Sequence, residues 1–241
     1  KEFISKRRNV MSPYQRVVAL GDSFTRGDEL ADCPTQLADT REIAHSNYTW
    51  PAIIAKTLGI EYRCVAVGGR GNQWISWALQ WAINPNISLH ANSLFIINWT
   101  YFGRFDFVNP SDTWKTASPN DMDKSFQRHI DSDIYNLFRN LQIIHSTLCL
   151  LEANNINFIF TCQDSTLKQT IDTLRPTYPF CDQNMWRQSV QILSETVVPT
   201  INEFDNCTFK EWSINNGYAI GTHGHPLEEA HAEAAKYINT N

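Results

Sequence analysis

Short apolar runs alternate with longer segments of helical periodicity along most of the chain. The predicted strands are residues 16–20, 62–67, 94–99 and 157–162. The predicted helices are residues 48–58, a Trp-rich segment that ends near 83, and residues 125–152, 185–201 and 226–238. Apolar strands that alternate with helices are typical of a parallel sheet covered on both faces. The sequence therefore predicts an α/β fold, a three-layer αβα sandwich with a mostly parallel central sheet.

One stretch, at about 101–124, interrupts this rhythm. It mixes Gly, Pro, Asp and Asn with aromatic residues, which is typical of a long excursion from the sheet. No internal repeat or low-complexity tract marks a second unit. We predict an N-terminal arm over residues 1–15 and a single domain over residues 16–241.

Composition narrows the classes of function. The net charge of −5 does not favour nucleic-acid binding, and no apolar run approaches the ~20 residues of a membrane span. The cysteines lack the spacing of a zinc site. The first strand-to-helix turn carries Gly-Asp-Ser rather than a dinucleotide fingerprint. We expect a soluble protein without a metal or cofactor.

Two polar residues, Ser23 and His225, stand in turns where the active sites of α/β folds commonly lie. Ser23, in Gly-Asp-Ser, follows the first strand, and ligands in such folds bind beyond the carboxyl ends of strands. His225 comes directly before Pro226, a favourable first residue for the last helix. A serine hydroxyl is a weak nucleophile until a base takes its proton. The pair therefore indicates a nucleophile and its general base.

Three blocks in this order resemble the GDSL/SGNH hydrolases: GDSFTRGDEL, AVGGRGNQWI and HGHPLEEAH. They are similar in particular to the SGNH-like proteins that bacteriophages encode. The resemblance covers the chain up to the third strand and again at the last helix. Between these parts only the alternation of helix and strand matches. The resemblance to these hydrolases implies an SGNH or flavodoxin-like sandwich and an esterase that works through a serine.

The resemblance also assigns the oxyanion donors. It makes Ser23 the nucleophile, with its own N–H as one donor, and matches Gly69 to the glycine whose N–H is another. Each such donor contributes about 3–4 kcal/mol to transition-state stabilisation. The family has Gly-x-Asn-Asp after the third strand, and Thr100 takes the register position of that Asn. Its hydroxyl is the predicted third donor, with Asn98 as the alternative.

The acid of the triad has no obvious counterpart. The family places an Asp two or three residues before the histidine, where this chain has His223 and Thr222. These are candidate orienting residues, but neither carries a carboxylate. Either His225 works in a dyad with Ser23, or an acid from elsewhere replaces the Asp, or activity is lost. The candidate replacements are Glu228, Glu229 and Asp205.

The first hypothesis is a carboxylester hydrolase (class EC 3.1.1) that forms an acyl-enzyme on Ser23. The expected substrate is a small ester or an acylated glycan, with Arg104 contacting an acidic group and aromatic residues such as Trp99 and Trp114 stacking on sugar rings. The second hypothesis is a weak or inactive SGNH fold that serves as a binding or structural module. Its expected setting is a phage particle or the host cytoplasm, with virion or homo-oligomer contacts.

Overall fold

The computed structural model describes residues 12–33, 45–87, 89–118, 133–165, 167 and 181–240. The strands are β1 (Arg16–Leu20), β2 (Glu61–Cys64), β3 (Ser93–Trp99), β4 (Phe105–Val108), β5 (Trp114–Ala117) and β6 (Asn157–Cys162). The helices are α1 (Ser23–Arg26), α2 (Trp50–Leu58), α3 (Asn72–Ala82), α4 (Asp133–Ala153), α5 (Cys181–Val197), α6 (Phe209–Asn215) and α7 (Glu228–Thr240), with a 3₁₀ turn at Val198–Thr200. None of the helices in these ranges is long and apolar enough to cross a membrane.

Four strands form the central sheet, in the order β2-β1-β3-β6, and every pairing is parallel. A single parallel bridge between Phe160 and Ile201 adds one more contact at the β6 edge. Because all four strands run the same way, their carboxyl ends meet at one edge of the sheet. The loops that follow β1, β2 and β3 therefore lie together.

Alternate residues of each inner strand enter different cores. In β1, Val17 packs on one face of the sheet and Val18 on the other. In β3, Ile96 and Ile97 divide in the same way. Helices α3, α4 and α5 supply the apolar residues of the core around Val18, while α2, α6 and α7 supply those of the core around Val17. The predicted αβα sandwich is confirmed.

Several predicted boundaries differ from the structure. The second strand ends at Cys64 rather than Val67, although Val65 N–H still donates to the Ala19 carbonyl at 2.8 Å. The α-helix predicted over 185–201 ends at Val197, and a 3₁₀ turn that includes Pro199 follows it. Proline has no N–H and disfavours helical geometry at the residue before it, which explains the early end.

The last helix begins at Glu228 rather than Pro226. Pro226 instead forms an antiparallel bridge with Ile220, and Leu227 N–H donates to the Ala219 carbonyl at 3.0 Å. This small bridge closes a loop over residues 220–226, which holds His225. The helix predicted over 48–58 begins at Trp50, with Thr49 before it.

The excursion contains regular structure that the sequence pattern did not indicate. Strands β4 and β5 form an antiparallel hairpin beside the amino end of α3. Asp106 of β4 accepts hydrogen bonds from the backbone N–H groups of Gly71 and Trp74, at 3.1 and 3.0 Å. The remaining excursion residues, 119–124, the predicted helix start over 125–132 and residues 1–11 of the predicted arm lie outside the described residues.

Candidate active site

The turn after β1 fixes the position of Ser23. A Cβ at Gly21 would lie 2.2 Å from Thr25 Oγ1, so only glycine allows the chain to turn this closely. Asp22 caps α1, because its Oδ1 accepts a hydrogen bond from Phe24 N–H at 3.1 Å. Ser23 is the first residue of α1, at the carboxyl edge of the sheet, and 7% of its surface is exposed.

Ser23 and His225 lie within hydrogen-bonding distance, with 2.8 Å between Ser23 Oγ and His225 Nε2. The other ring nitrogen, Nδ1, lies 2.8 Å from Glu29 Oε2. An ionised carboxylate only accepts hydrogen bonds, so Nδ1 carries the proton that it shares with Glu29. In the neutral ring Nε2 then has a lone pair, which accepts the proton of the Ser23 hydroxyl. The three side chains form one continuous chain of hydrogen bonds.

Glu29 thus supplies the carboxylate that the positions before His225 lack. The three candidate replacements lie elsewhere. Glu228 Oε1 accepts a hydrogen bond from Ala31 N–H at 2.8 Å, and Asp205 accepts from the Trp212 indole at 3.1 Å and from the Tyr237 hydroxyl. Glu229, in the first turn of α7, is exposed. The structure therefore gives none of the three a contact with His225.

Glu29 reaches His225 through an unusual backbone conformation. Its φ is 71°, in the left-handed region that costs a residue with a side chain roughly 1–2 kcal/mol. The turn begins at Gly27, which ends α1 with a φ of 87°. Backbone strain of this kind persists where surrounding contacts overdetermine it, and it clusters at functional sites.

The loop that carries His225 also holds the Glu29 carboxylate. Thr222 Oγ1 and His223 N–H donate to Glu29 Oε1 at 2.8 and 2.9 Å, and His225 N–H donates to Oε2 at 3.3 Å. The two candidate orienting residues, Thr222 and His223, thus contact the acid and not the histidine ring. They orient Glu29, which in turn orients His225.

Asp28, the acid next to Glu29 in the chain, is bound by an arginine instead of by the histidine loop. Asp28 receives two hydrogen bonds from the Arg26 guanidinium, from Nε at 2.5 Å and from Nη2 at 2.7 Å. Of the two consecutive acids in this turn, Arg26 therefore neutralises one, and Glu29 remains for His225. In the sequence the acid stands in the pair Asp28-Glu29 directly after Gly27, and nothing local to the pair indicates which of the two reaches a histidine.

Two opposing effects set the pKa of Glu29. Burial raises it, while hydrogen bonds from His223 N–H, the His225 ring, the Thr222 hydroxyl and His225 N–H lower it. The hydrogen bonds outweigh burial and bring the pKa from 4.5 to about 2. Glu29 is therefore a carboxylate at neutral pH, as the orienting acid of a triad must be.

The two backbone N–H groups expected to bind an oxyanion are both open. Within the described part of the chain, neither Ser23 N–H nor Gly69 N–H has a hydrogen-bond acceptor. Gly69 has a φ of 74°, and a Cβ built there would touch nothing within 4 Å. A glycine is therefore favoured at position 69 by the left-handed backbone conformation and not by a lack of space for a side chain.

Thr100 does not offer the predicted third donor. It is fully buried, and its hydroxyl donates its single proton to Asp22 Oδ2 at 2.6 Å. Asn98, the alternative, is 2% exposed, and its Oδ1 accepts hydrogen bonds from Thr161 and Gln163 at 2.9 and 3.4 Å. Asp22 also accepts a hydrogen bond from Arg104 Nη1 at 2.7 Å.

The predicted aromatic contacts divide into two groups. Trp99 is fully buried and packs edge-on against Phe160, so it cannot stack on a substrate; its side chain belongs to the core. Trp114 stacks on Trp77, with ring centroids 5.7 Å apart, and Trp77 is 49% exposed. The Arg70 guanidinium joins this pair to the site, because it donates to the Trp114 carbonyl at 3.1 Å.

The third histidine near the site has a structural contact. His231 is buried, and its Nδ1 accepts a hydrogen bond from Trp50 N–H, at the amino end of α2, at 3.1 Å. Among the described residues, no group of three or more His, Cys, Asp or Glu side chains is arranged to hold a metal ion.

No protein-family model and no curated protein sequence matches the chain. Its fold is similar to solved structures at low identity. One, from Desulfitobacterium hafniense, is described as a lipolytic protein of the G-D-S-L family; it has a TM-score of 0.48 and 16% identity, over 94% of this chain and 98% of that one. An acetyl xylan esterase from Butyrivibrio proteoclasticus has a TM-score of 0.45 and 16% identity, over 97% of this chain and 64% of that one.

An acetylxylan esterase from Geobacillus stearothermophilus, solved as a catalytic mutant, is a third similar structure. It has a TM-score of 0.45 and 11% identity, over 93% of this chain and 92% of that one. None of the three likenesses carries a conclusion about activity, so the functional proposal rests on the side chains of this chain.

Proposed function

We propose that the protein is a serine-dependent carboxylester hydrolase. The observation that carries the proposal is the continuous hydrogen-bonded chain from Ser23 through His225 to Glu29, with both links 2.8 Å long. A nucleophile within reach of a base that a third group orients is the arrangement that activates a serine hydroxyl.

In the proposed reaction the Ser23 Oγ–carbon bond forms as the ester carbonyl becomes a tetrahedral oxyanion. The hydroxyl proton passes to His225 Nε2. The carbon–alkoxide bond then breaks, and the leaving alcohol takes that proton from Nε2. Water attacks the acyl-enzyme by the same two steps, which release the acid and free Ser23. Glu29 stabilises the imidazolium that forms in each half-reaction without itself taking a proton.

The N–H groups of Ser23 and Gly69 are the proposed donors to the oxyanion. Both are open among the described residues, and both follow strands at the carboxyl edge of the sheet, Ser23 at the start of α1 and Gly69 in the loop after β2. Backbone donors that are fixed before the reaction stabilise the developing charge without having to reorganise. They favour a carbonyl substrate over chemistry that develops no oxyanion.

The proposed substrate is an acetyl or short acyl ester, carried on a small alcohol or on a glycan. A glycan carrier is supported by the Trp77–Trp114 pair, because the Trp77 ring is exposed. Arg70, in the residue after Gly69, donates a hydrogen bond to the Trp114 carbonyl. Aromatic faces provide apolar contact area for a ring. Comparing turnover of acetylated oligosaccharides by the wild type and by Trp77→Ala tests this part separately.

The alternative, an inactive binding or structural module such as a virion component, had two motives in the sequence. One was the missing acid, and this motive no longer holds because the Glu29 carboxylate contacts His225. The other was the altered third block, where the Thr100 hydroxyl bonds to Asp22. The alternative would regain support if the folded protein showed no esterase activity.

Steady-state hydrolysis of p-nitrophenyl acetate and butyrate tests the proposal. The wild type should turn over at least one ester, and Ser23→Ala and His225→Gln should each reduce kcat by orders of magnitude. His223→Gln is the matched control, because its exposed ring lies in the same loop and only its backbone N–H contacts Glu29. Equal rates for the wild type and Ser23→Ala would refute the proposal.

A further inference from the structure

Arg104 is bonded to the sequence neighbours of both proposed oxyanion donors, Ser23 and Gly69. Its Nη1 lies 2.7 Å from Asp22 Oδ2, in the residue before Ser23, and 2.8 Å from the carbonyl oxygen of Arg70, in the residue after Gly69. The guanidinium is therefore held against the Ser23 turn on one side and against the Gly69 loop on the other.

The same nitrogen contacts the end of β3. Arg104 Nη1 donates to Thr100 Oγ1 at 2.7 Å, at the register position where a third oxyanion donor was expected. The Thr100 proton is already used by Asp22. An arginine is therefore bonded directly to the residue whose hydroxyl cannot serve as the expected donor.

Most of the donors of Arg104 remain open. A guanidinium has five N–H groups, of which Nη1 carries two. Its three contacts with Asp22, Arg70 and Thr100 all use Nη1. Within the described ranges, Nε and Nη2 have no acceptor, and 17% of the side chain is exposed. Three N–H groups are therefore available to a ligand at the edge of the site.

We propose that Arg104 is a catalytic residue that donates from Nε or Nη2 to the substrate oxyanion, as the third donor beside Ser23 N–H and Gly69 N–H. This inference rests on the proposed esterase function. When the Ser23 Oγ–carbon bond forms, the carbonyl oxygen gains the negative charge, and the guanidinium supplies a charge-assisted hydrogen bond to it. No proton leaves Arg104 in the step.

The ion pair with Asp22 explains how the flexible Arg104 side chain is held in a single conformation beside the substrate. The Asp22 carboxylate is fully buried, and Arg104 is the cation paired with it. The backbone of Arg104 is held as well, because its carbonyl accepts a hydrogen bond from Arg139 at 2.7 Å. A donor fixed at both ends acts on the transition state with little loss of entropy.

Two other roles for Arg104 predict different kinetics. A ground-state contact with an acidic group of the substrate would change KM for acidic esters and leave neutral esters unaffected. A structural role would consist only of neutralising Asp22. An oxyanion contact instead lowers kcat for a neutral ester and leaves KM nearly unchanged, because it strengthens in the transition state.

The test measures kcat and KM for neutral p-nitrophenyl acetate in Arg104→Gln and Arg104→Lys. We expect kcat to fall about 10²–10³-fold in Arg104→Gln, as after removal of one oxyanion donor, with KM within about twofold. Arg104→Lys keeps a cation beside Asp22 but loses the fork of donors, so it should recover only a small part of kcat. Arg16→Gln, which breaks the Arg16–Glu61 pair at the opposite end of β1, is the control.

A second pair of variants separates catalysis from structure. Arg104→Gln is introduced into an Asp22→Asn background, where the introduced amide oxygen can still accept from Arg104 Nη1 but the carboxylate that paired with the guanidinium is gone. The fall in kcat from Asp22→Asn to the double variant should persist. A vanished effect, or full recovery in Arg104→Lys, would overturn the inference and leave Arg104 as the counter-ion of Asp22. If Ser23→Ala still abolishes turnover in that case, the esterase proposal stands without it.

Discussion

Glu29 Oε2 lies 2.8 Å from His225 Nδ1, although 196 residues of chain separate the two side chains. The contact joins the turn after α1 to the loop before α7. It adds a third side chain to the Ser23–His225 pair, and the acid of this proposed triad comes from the same sequence block as Ser23. Ser23 and Glu29 are therefore placed together by one short helix, and only His225 comes from the far end of the chain.

Replacement of Glu29 by Gln should lower kcat for p-nitrophenyl acetate by about 10²–10⁴-fold, since an amide orients the ring less well and does not stabilise an imidazolium. Glu229→Gln, an exposed glutamate in α7, is the control and should keep wild-type kcat. Wild-type turnover in Glu29→Gln would show that Ser23 and His225 work as a dyad.

The bounds of β1 and β6 and two of the three members of the proposed triad were accessible from sequence, for identifiable reasons. β1 and β6 are short, largely apolar runs with clear ends, and their predicted bounds match the structure. Ser23 and His225 stand beside a strand end and a helix start, which local residue types reveal. Both features are encoded within a few residues of chain.

Glu29 could not be predicted from local pattern. Its position depends on a left-handed backbone conformation at a residue that rarely adopts one, and on donors from a loop nearly 200 residues away. The hairpin of β4 and β5 was missed for a similar reason. Its strands are short and half-exposed, and they are fixed by contacts such as that between Asp106 and the amino end of α3.

Gly221 should prove essential for the position of the acid. A Cβ there would lie 2.6 Å from the Glu29 carboxylate, too close for an unshifted side chain. We expect Gly221→Ala to displace Glu29 and to lower kcat by about tenfold or more, a ΔΔG‡ of about 1.4 kcal/mol. Thermal unfolding and kcat are both measured. A loss of kcat that only parallels loss of folded protein would contradict this explanation.

The pKa of Glu29 predicts a pH window for stability. Its folded pKa of about 2 lies below the ordinary value of 4.5, so its hydrogen bonds stabilise the folded state fully above pH 4.5. This contribution is lost as the pH falls from 4.5 to 2. The Tm difference between the wild type and Glu29→Gln should be constant from pH 7 to 5 and shrink below that. A difference independent of pH down to 2.5 would contradict the low pKa.

His231 should make the fold sensitive to mild acid. Burial lowers its pKa from 6.5 to about 3, assisted by the nearby His225, while a hydrogen bond with Pro226 opposes the shift. The neutral ring therefore stabilises the folded state above pH 6.5, and this contribution is lost as the pH falls towards 3.

His231→Leu should lower the free energy of unfolding by about 1–3 kcal/mol at pH 7, because Trp50 N–H loses its acceptor. The cost should shrink in acid, where the wild type loses the contribution of the neutral His231 ring and the variant has no such contribution to lose. Urea unfolding at pH 7 and 4.5 measures both effects. His223→Leu, with an exposed ring, is the control, and a cost for His231→Leu that does not shrink would argue against a buried neutral ring.

The central claim is that His225 and Glu29 activate Ser23, and covalent labelling by a fluorophosphonate tests it most directly. The labelled protein is digested, and the modified residue is identified by mass spectrometry. We expect a single adduct on Ser23 in the folded wild type, no adduct in Ser23→Ala, and much slower labelling in His225→Gln and Glu29→Gln. A folded wild type that remains unlabelled, or labelling that is equally fast in Glu29→Gln, would contradict the claim.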